Sequence, residues 1–192
     1  MEKQSVIEFF NKCAPTWDAE MIRNEEAIQI ILNQSGAEQG AAVLDVACGT
    51  GVLFPDYYAR GVRDLTGIDI SPEMAKICAD KFPEAKIICG DVEEYPFDRQ
   101  FDAVMVFNAF PHFPEPARLI EALAGLTCPG GRLSIAHGMS KAQLDKHHSG
   151  SAKHVSVHLL DEHELAEIMG RWFDVDVVLA NDSMYLVAGT RK

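Results

Sequence analysis

Gly49 and Gly51 flank Thr50 at the end of an apolar run, Ala42-Val43-Leu44-Asp45-Val46-Ala47-Cys48. Glycines at such a point let the backbone turn sharply and come close to a ligand. Asp69 follows Gly49 by 20 residues and ends a second run, Gly67-Ile68-Asp69-Ile70. A carboxylate there suits a two-pronged hydrogen bond to ribose hydroxyls. Asp91 ends a third run and suits an adenine amino group, with Val92 beside the ring. Asn108 ends a fourth run. This pattern is that of a nucleotide-like ligand held along one edge of a sheet.

The second chemical resource is imidazole. Six of the seven histidines fall between 137 and 163. His137 directly follows a fifth apolar run, so with His148 and His147 it is a candidate general base. His148, His154 and His158 are candidate ligands for a divalent metal, the last two being four residues apart and so on one face of a helix or strand. A polar, solvated segment is the simpler reading of any one of these histidines. Phe110, His112 and Phe113, in the ring-rich stretch after Asn108, are candidate contacts for an apolar or planar acceptor.

These residues need elements to position them. Val6, Ile7, Phe9 and Phe10 have helical spacing, which Pro15 breaks. Thr16-Trp17-Asp18 reads as a link, followed by a helix carrying Ile22, Ile28, Ile31 and Leu32 and ending at Gly36. The first strand spans 42–47, with a helix over 53–60 stopped by Gly61. The second strand spans 64–70. Ser71-Pro72-Glu73 then opens a helix that buries Met74, Ile77, Cys78 and Phe82. Strands follow at 85–89 and 101–107, and a helix begins at Pro116. Pro129-Gly130-Gly131 is predicted as a turn before a fifth strand at 132–136. Residues 137–158 read as a long loop or lid, 161–172 as a helix, and 173–179 with 184–189 as a closing hairpin. Strands alternating with helices predict right-handed crossovers and a mainly parallel sheet covered on both faces.

The totals fit one domain of 192 residues: 47% hydrophobic, 24% charged, net charge −12. That charge argues against nucleic acid or an anionic membrane as the main partner and leaves a small-molecule substrate. Five cysteines with no C-x-x-C pair predict free thiols and a cytoplasmic protein, and no signal peptide is seen at the start. The third position of a dinucleotide fingerprint is the bulky Phe54, which argues against NAD or FAD, and there is no phosphate-loop Gly-Lys-Ser/Thr signature.

The motifs taken together resemble the class I S-adenosylmethionine-dependent methyltransferases, in the branch of the ubiquinone and menaquinone C-methyltransferases. LDVACGTG, GIDIS and GDVEEYPF are similar to that family's first three motifs. FDAVMVFNAFPHF and LTCPGGRLSIAH resemble its segments after the fourth strand and before the fifth. FFNKCAPTWD resembles its cofactor-covering segment. The resemblance implies an α/β, Rossmann-like fold of seven strands with the last antiparallel. One domain, 1–192, would carry a helical N-terminal cover over 1–40 and a histidine-rich lid over 137–160. S-adenosyl-L-methionine would be held by Trp17, Asp45, Ala47, Gly49, Thr50, Gly51, Asp69, Ile70, Asp91, Val92 and Asn108. The implied activity is methyl transfer to a small molecule. Asn108-Ala109-Phe110-Pro111 departs from the Asn-Pro-Pro-Tyr pattern of enzymes that methylate nucleobase or glutamine amino groups. A binding protein on the same fold, sensing cofactor or metal without turnover, is the alternative.

Overall fold

The computed structural model describes residues 2–148 and 153–192, with the side chains of 145–148 and 153 left aside. In chain order its elements are helices α1 (Lys3–Cys13), α2 (Trp17–Glu20) and α3 (Glu25–Asn33), strand β1 (Ala42–Val46), α4 (Phe54–Ala59) and β2 (Asp64–Asp69). Next come α5 (Pro72–Lys81), β3 (Lys86–Cys89), β4 (Phe101–Phe107), α6 (Pro116–Leu126) and β5 (Thr127–His137). The chain closes with α7 (Lys141–His148), α8 (Glu162–Met169), β6 (Phe173–Ala180) and β7 (Tyr185–Arg191).

The strands form one sheet in the order β3-β2-β1-β4-β5-β7-β6. Only β7 runs antiparallel to its neighbours. β1 is buried at every position, as a central strand covered on both faces must be. Val46 at its end stands level with Ile68 of β2 and Val106 of β4. The chain moves outward from β1 to β3 and then returns to place β4 on β1's other side. The strand order therefore reverses at β1, and a crevice opens at the strand ends there.

Two apolar layers sandwich the sheet. One packs Leu119, Ile120 and Leu123 of α6 and Leu165 and Met169 of α8 onto Leu44, Val104, Leu133 and Ile135. The other packs Ile28, Ile31 and Leu32 of α3 and Phe54 and Tyr57 of α4 onto Val43, Ala103 and Met105. Helix starts follow their side chains. Ser71 Oγ accepts from Met74 N–H at 3.2 Å, with Pro72 opening α5. Asp161 and Glu164 cap α8 reciprocally.

The seven strands and the antiparallel last one agree with the sequence reading. Several local expectations need correction. Ile22 is 91% exposed and lies outside any helix, because α3 starts only after Asn24, whose side chain accepts from Ala27 N–H at 3.1 Å. Trp17 is in a helix rather than a link: a 3-10 turn over Ala14–Thr16, for which Pro15 has a suitable φ, feeds directly into α2. The Pro129–Gly131 turn lies within the bounds of β5. Thr127 pairs with Phe101 and Arg132 with Ala103, so residues 128–131 are looped out of the ladder. A Cβ on Gly131 would lie 2.8 Å from the Asp102 carbonyl oxygen, which explains the glycine. The segment 137–158 contains α7 and a 3-10 turn over Lys153–Val155 as well as loop. The helix expected to run to Trp172 stops at Met169, before Gly170.

Candidate active site

A cavity enclosing about 140 Å³ lies where the strand order reverses, at the ends of β1, β2 and β4. Its floor is the turn after β1. Ala47, Gly49 and Gly51 have φ of 53°, 55° and 83°. A left-handed alanine is uncommon, and Asn108 after β4 is left-handed too, at 54°. Both non-glycine residues line the cavity. Such strain concentrates at functional sites. Asn108 Oδ1 holds its turn by accepting from Gly138 N–H at 2.9 Å.

The two turn glycines serve different ends. A Cβ on Gly51 would lie 2.6 Å from Phe82 Cε2 and 2.9 Å from Cys78 Sγ, so Gly51 lets the turn sit down on α5. A Cβ on Gly49 would find only Trp17 Nε1, 3.9 Å away. Gly49 thus leaves a cradle open under Trp17, and both residues line the cavity. Phe54 is fully buried. It fits because Gly67 on β2 has no side chain: a Cβ there would lie 2.9 Å from the Phe54 ring and 2.8 Å from Cys48 Sγ.

Asp69 lines the cavity at the end of β2. Its Oδ2 accepts from Gly49 N–H at 2.8 Å and its Oδ1 from Ser71 N–H at 2.8 Å. Burial pushes its pKa up to about 6, against the pull of those two backbone donors. Asp45 lies beneath the turn and is not among the cavity-lining residues. Burial raises its pKa to about 8; the neighbouring Tyr57 hydroxyl offsets part of this, and Asp69 adds to it. Its Oδ2 has no hydrogen-bond partner among the described residues. Thr50 is buried, and its hydroxyl donates to Asp18. Asp18 also accepts from Lys81 Nζ at 2.6 Å. Burial works against the Asp18 charge, but Lys81 and Thr50 outweigh it and lower its pKa.

Asp91, Val92 and Ile70 line the far end. Asp91 accepts from Lys3 Nζ on α1, and Lys3 also donates to Glu94 at 3.1 Å. Lys3, Val6, Phe10, Met21 and Glu93 join the lining, none of them a site candidate from the sequence. Phe10 belongs to FFNKCAPTWD, the one signal that could have found it, whereas Lys3 and Val6 precede that motif on α1. Arg23 ties the same N-terminal stretch down, donating to Asp56 at 2.9 Å and to the Val52 carbonyl.

The acceptor-side residues separate. His112 and Phe113 line the cavity, as does Phe107. Phe110 is buried in the α6–α8 core layer instead. His137 is completely buried, its ring 6.0 Å from that of Tyr185, and it is not a cavity-lining residue. His147 and His148 end α7, and their side chains lie outside those described. His154 and His158 are exposed. Among the described residues, no group of three or more His, Cys, Asp or Glu side chains could hold a metal. No helix among them is long and apolar enough to cross a membrane.

Residues 44–135 match the family model described as a methyltransferase domain. The demethylmenaquinone methyltransferase of Renibacterium salmoninarum is 31% identical over 137 residues, which is 68% of this chain and 57% of that protein. The ubiquinone biosynthesis O-methyltransferase of Xylella fastidiosa is 36% identical over 105 residues, 50% of this chain and 42% of that one. The chain therefore spans about half the length of the curated relatives it matches. In fold it is similar to the magnesium protoporphyrin IX methyltransferase of Synechocystis PCC 6803 with bound SAH, at a TM-score of 0.74 and 17% identity, covering 100% of both chains.

Proposed function

We infer that this chain, which belongs to the class I S-adenosylmethionine-dependent methyltransferases, transfers a methyl group to a small-molecule acceptor with a planar, apolar body. The observation that carries this is the joining of Asp69, Asp91 and the open cradle at Gly49 in one cavity at the reversal of strand order. S-adenosylmethionine brings a sulfonium-bound methyl that is already reactive, so the protein's task is to bind, orient and keep water out. Asp69 is suited to the ribose hydroxyls. Ile70 and Val92 are suited to the faces of the adenine, and Asp91 to its amino group. Gly49 leaves room for the methionine part beneath Trp17. In this assignment the adenine amino group competes with Lys3 for Asp91. Asp45 supports the turn from below, and Thr50 and Gly51 shape it.

The acceptor would enter beside Asn108, against Phe107 and Phe113. The names of the curated relatives point to quinone-type rings as the first acceptors to try. Incubation with methyl-labelled S-adenosylmethionine and a panel of hydroxylated aromatic and quinol acceptors tests the reading. Label in an organic-extractable product is expected. Tight cofactor binding with no transfer to any panel member would favour a binding protein without turnover.

A further inference from the structure

We propose that His112 is the catalytic base, taking through Nε2 the proton of a hydroxyl on the acceptor; this rests on the methyl-transfer reading above. His112 closes a 3-10 turn, Phe110–His112, directly after β4, and lines the cavity beside Asn108, Phe107 and Phe113. Its Nδ1 lies 2.7 Å from the Val155 carbonyl oxygen. A carbonyl can only accept, so Nδ1 carries the hydrogen, and in the neutral ring the lone pair is on Nε2. Val157 N–H donates to the Pro111 carbonyl at 2.8 Å, which fixes the same segment to the same turn. Ser156 Oγ sits 3.4 Å from Nδ1, and the Phe10 ring stands edge-on at 4.9 Å between centroids. The histidine-rich segment thus acts here through its backbone, by setting the tautomer of an imidazole outside it.

The wall formed by Phe107 and Phe113 matches an aryl hydroxyl. As the bond from that oxygen to the methyl carbon forms, the sulfur–methyl bond breaks. Its electron pair stays on the sulfur, which becomes a neutral thioether. The hydroxyl proton passes to Nε2 and then to water, so the positive charge moves from sulfonium to imidazolium and no redox partner is needed. Among the described side chains, the titratable groups on the elements packed around His112 are Lys3, Glu8, Lys12 and Cys13 on α1, Asp69 and Asp91 with Glu93 at the strand ends, and His154 and His158 on the segment that binds Nδ1.

Two measurements that need no turnover test this. Long-range proton–nitrogen correlation spectra of histidine-labelled protein should show His112 as the Nδ1–H tautomer, and an Nε2–H tautomer would overturn the proposal. The second probe is 4-nitrocatechol, whose anion is coloured, mixed with the cofactor-free protein about one unit below its solution pKa. Bound to the wild type it should take on the anion spectrum. His112→Gln should still bind it but lose that spectrum. An anion spectrum that survives in His112→Gln, or failure of the wild type to bind the probe, overturns the proposal. With cofactor and an accepted substrate, His112→Gln should lower kcat by about 10²–10⁴-fold and remove the acid limb of its pH profile, with SAH affinity unchanged. Wild-type-like turnover and pH profile in that variant overturn the role of His112 alone. Loss of SAH binding by the wild type overturns the methyl-transfer reading instead.

Discussion

The β1–β2 end of the cavity and its β4 end are built differently. At the first end the sequence-marked groups are gathered by the backbone itself. One turn and one carboxylate interlock, Asp69 accepting from both Gly49 and Ser71. At the other end His137, His154 and His158 are not among the lining residues, and His112 with Phe107 and Phe113 occupies the wall. A cofactor of fixed shape can be met by glycines and acids at set offsets along the chain. An acceptor is met by side chains whose direction depends on tertiary packing.

The largest effect should come from disturbing the first end. Gly51→Ala would place a Cβ 2.6 Å from Phe82 at a φ of 83°. It should cost about 2–4 kcal/mol, read as a fall in denaturant midpoint, from left-handed strain plus overpacking. Gly49→Ala faces the same backbone strain without the clash, so it should destabilise less and weaken cofactor binding more. Equal stability losses in the two variants would break the distinction between the glycines.

Next in size is a pH effect on stability. Asp45 has a folded pKa of about 8, far above an ordinary carboxylate, because of burial. The folded state therefore binds the proton more tightly than the unfolded state. Its contribution to stability is greatest below the unfolded pKa of about 4 and is lost as pH rises from there to about 8, by up to a few kcal/mol. Asp45→Asn should flatten that slope in urea titrations at a series of pH values. Asp69, raised to about 6, adds a binding effect of opposite sign. Cofactor affinity should fall by up to tenfold per unit as pH drops below about 6, because the protonated carboxyl loses acceptor capacity.

Smaller changes test the N-terminal cover. Asp18→Asn weakens the contacts from Thr50 and Lys81. It should reduce cofactor affinity by about threefold to tenfold, chiefly through faster dissociation in stopped-flow displacement. Smallest of all, His154→Ala removes an exposed ring that stands edge-on to Phe9 at 5.7 Å and should change turnover by less than about twofold. A larger loss would restore the histidine-rich segment's imidazoles to the chemistry.

The contrast also explains what the sequence could reveal. Strand pattern, glycine turn, Ser71 cap and the Asp161–Glu164 box are local, and each is where its spacing placed it. Phe54 looked merely too bulky for a dinucleotide fold, and its fit needed Gly67 on the neighbouring strand. Lys3 reaches Asp91 across 88 positions of chain, a pairing that no local pattern announces. Phe110 and Phe113 share one short loop, yet one faces the core and the other the cavity. Phe110 opens a 3-10 turn and Phe113 lies just past it in extended backbone, so no single period relates them and only the packed structure separates them. His137, expected just past the fifth strand, is instead the last residue of β5, paired with Tyr185 and buried beside it.

The central claim is that Asp69 and the glycine turn hold S-adenosylmethionine. Calorimetric titration of the wild type and of Asp69→Asn with SAH at about pH 8, where the Asp69 carboxylate is ionised, tests it most directly. The account predicts one-to-one binding by the wild type and an affinity at least about tenfold weaker in the variant, with far-ultraviolet dichroism unchanged. Equal affinity in the two proteins, or no binding by the wild type, would contradict it.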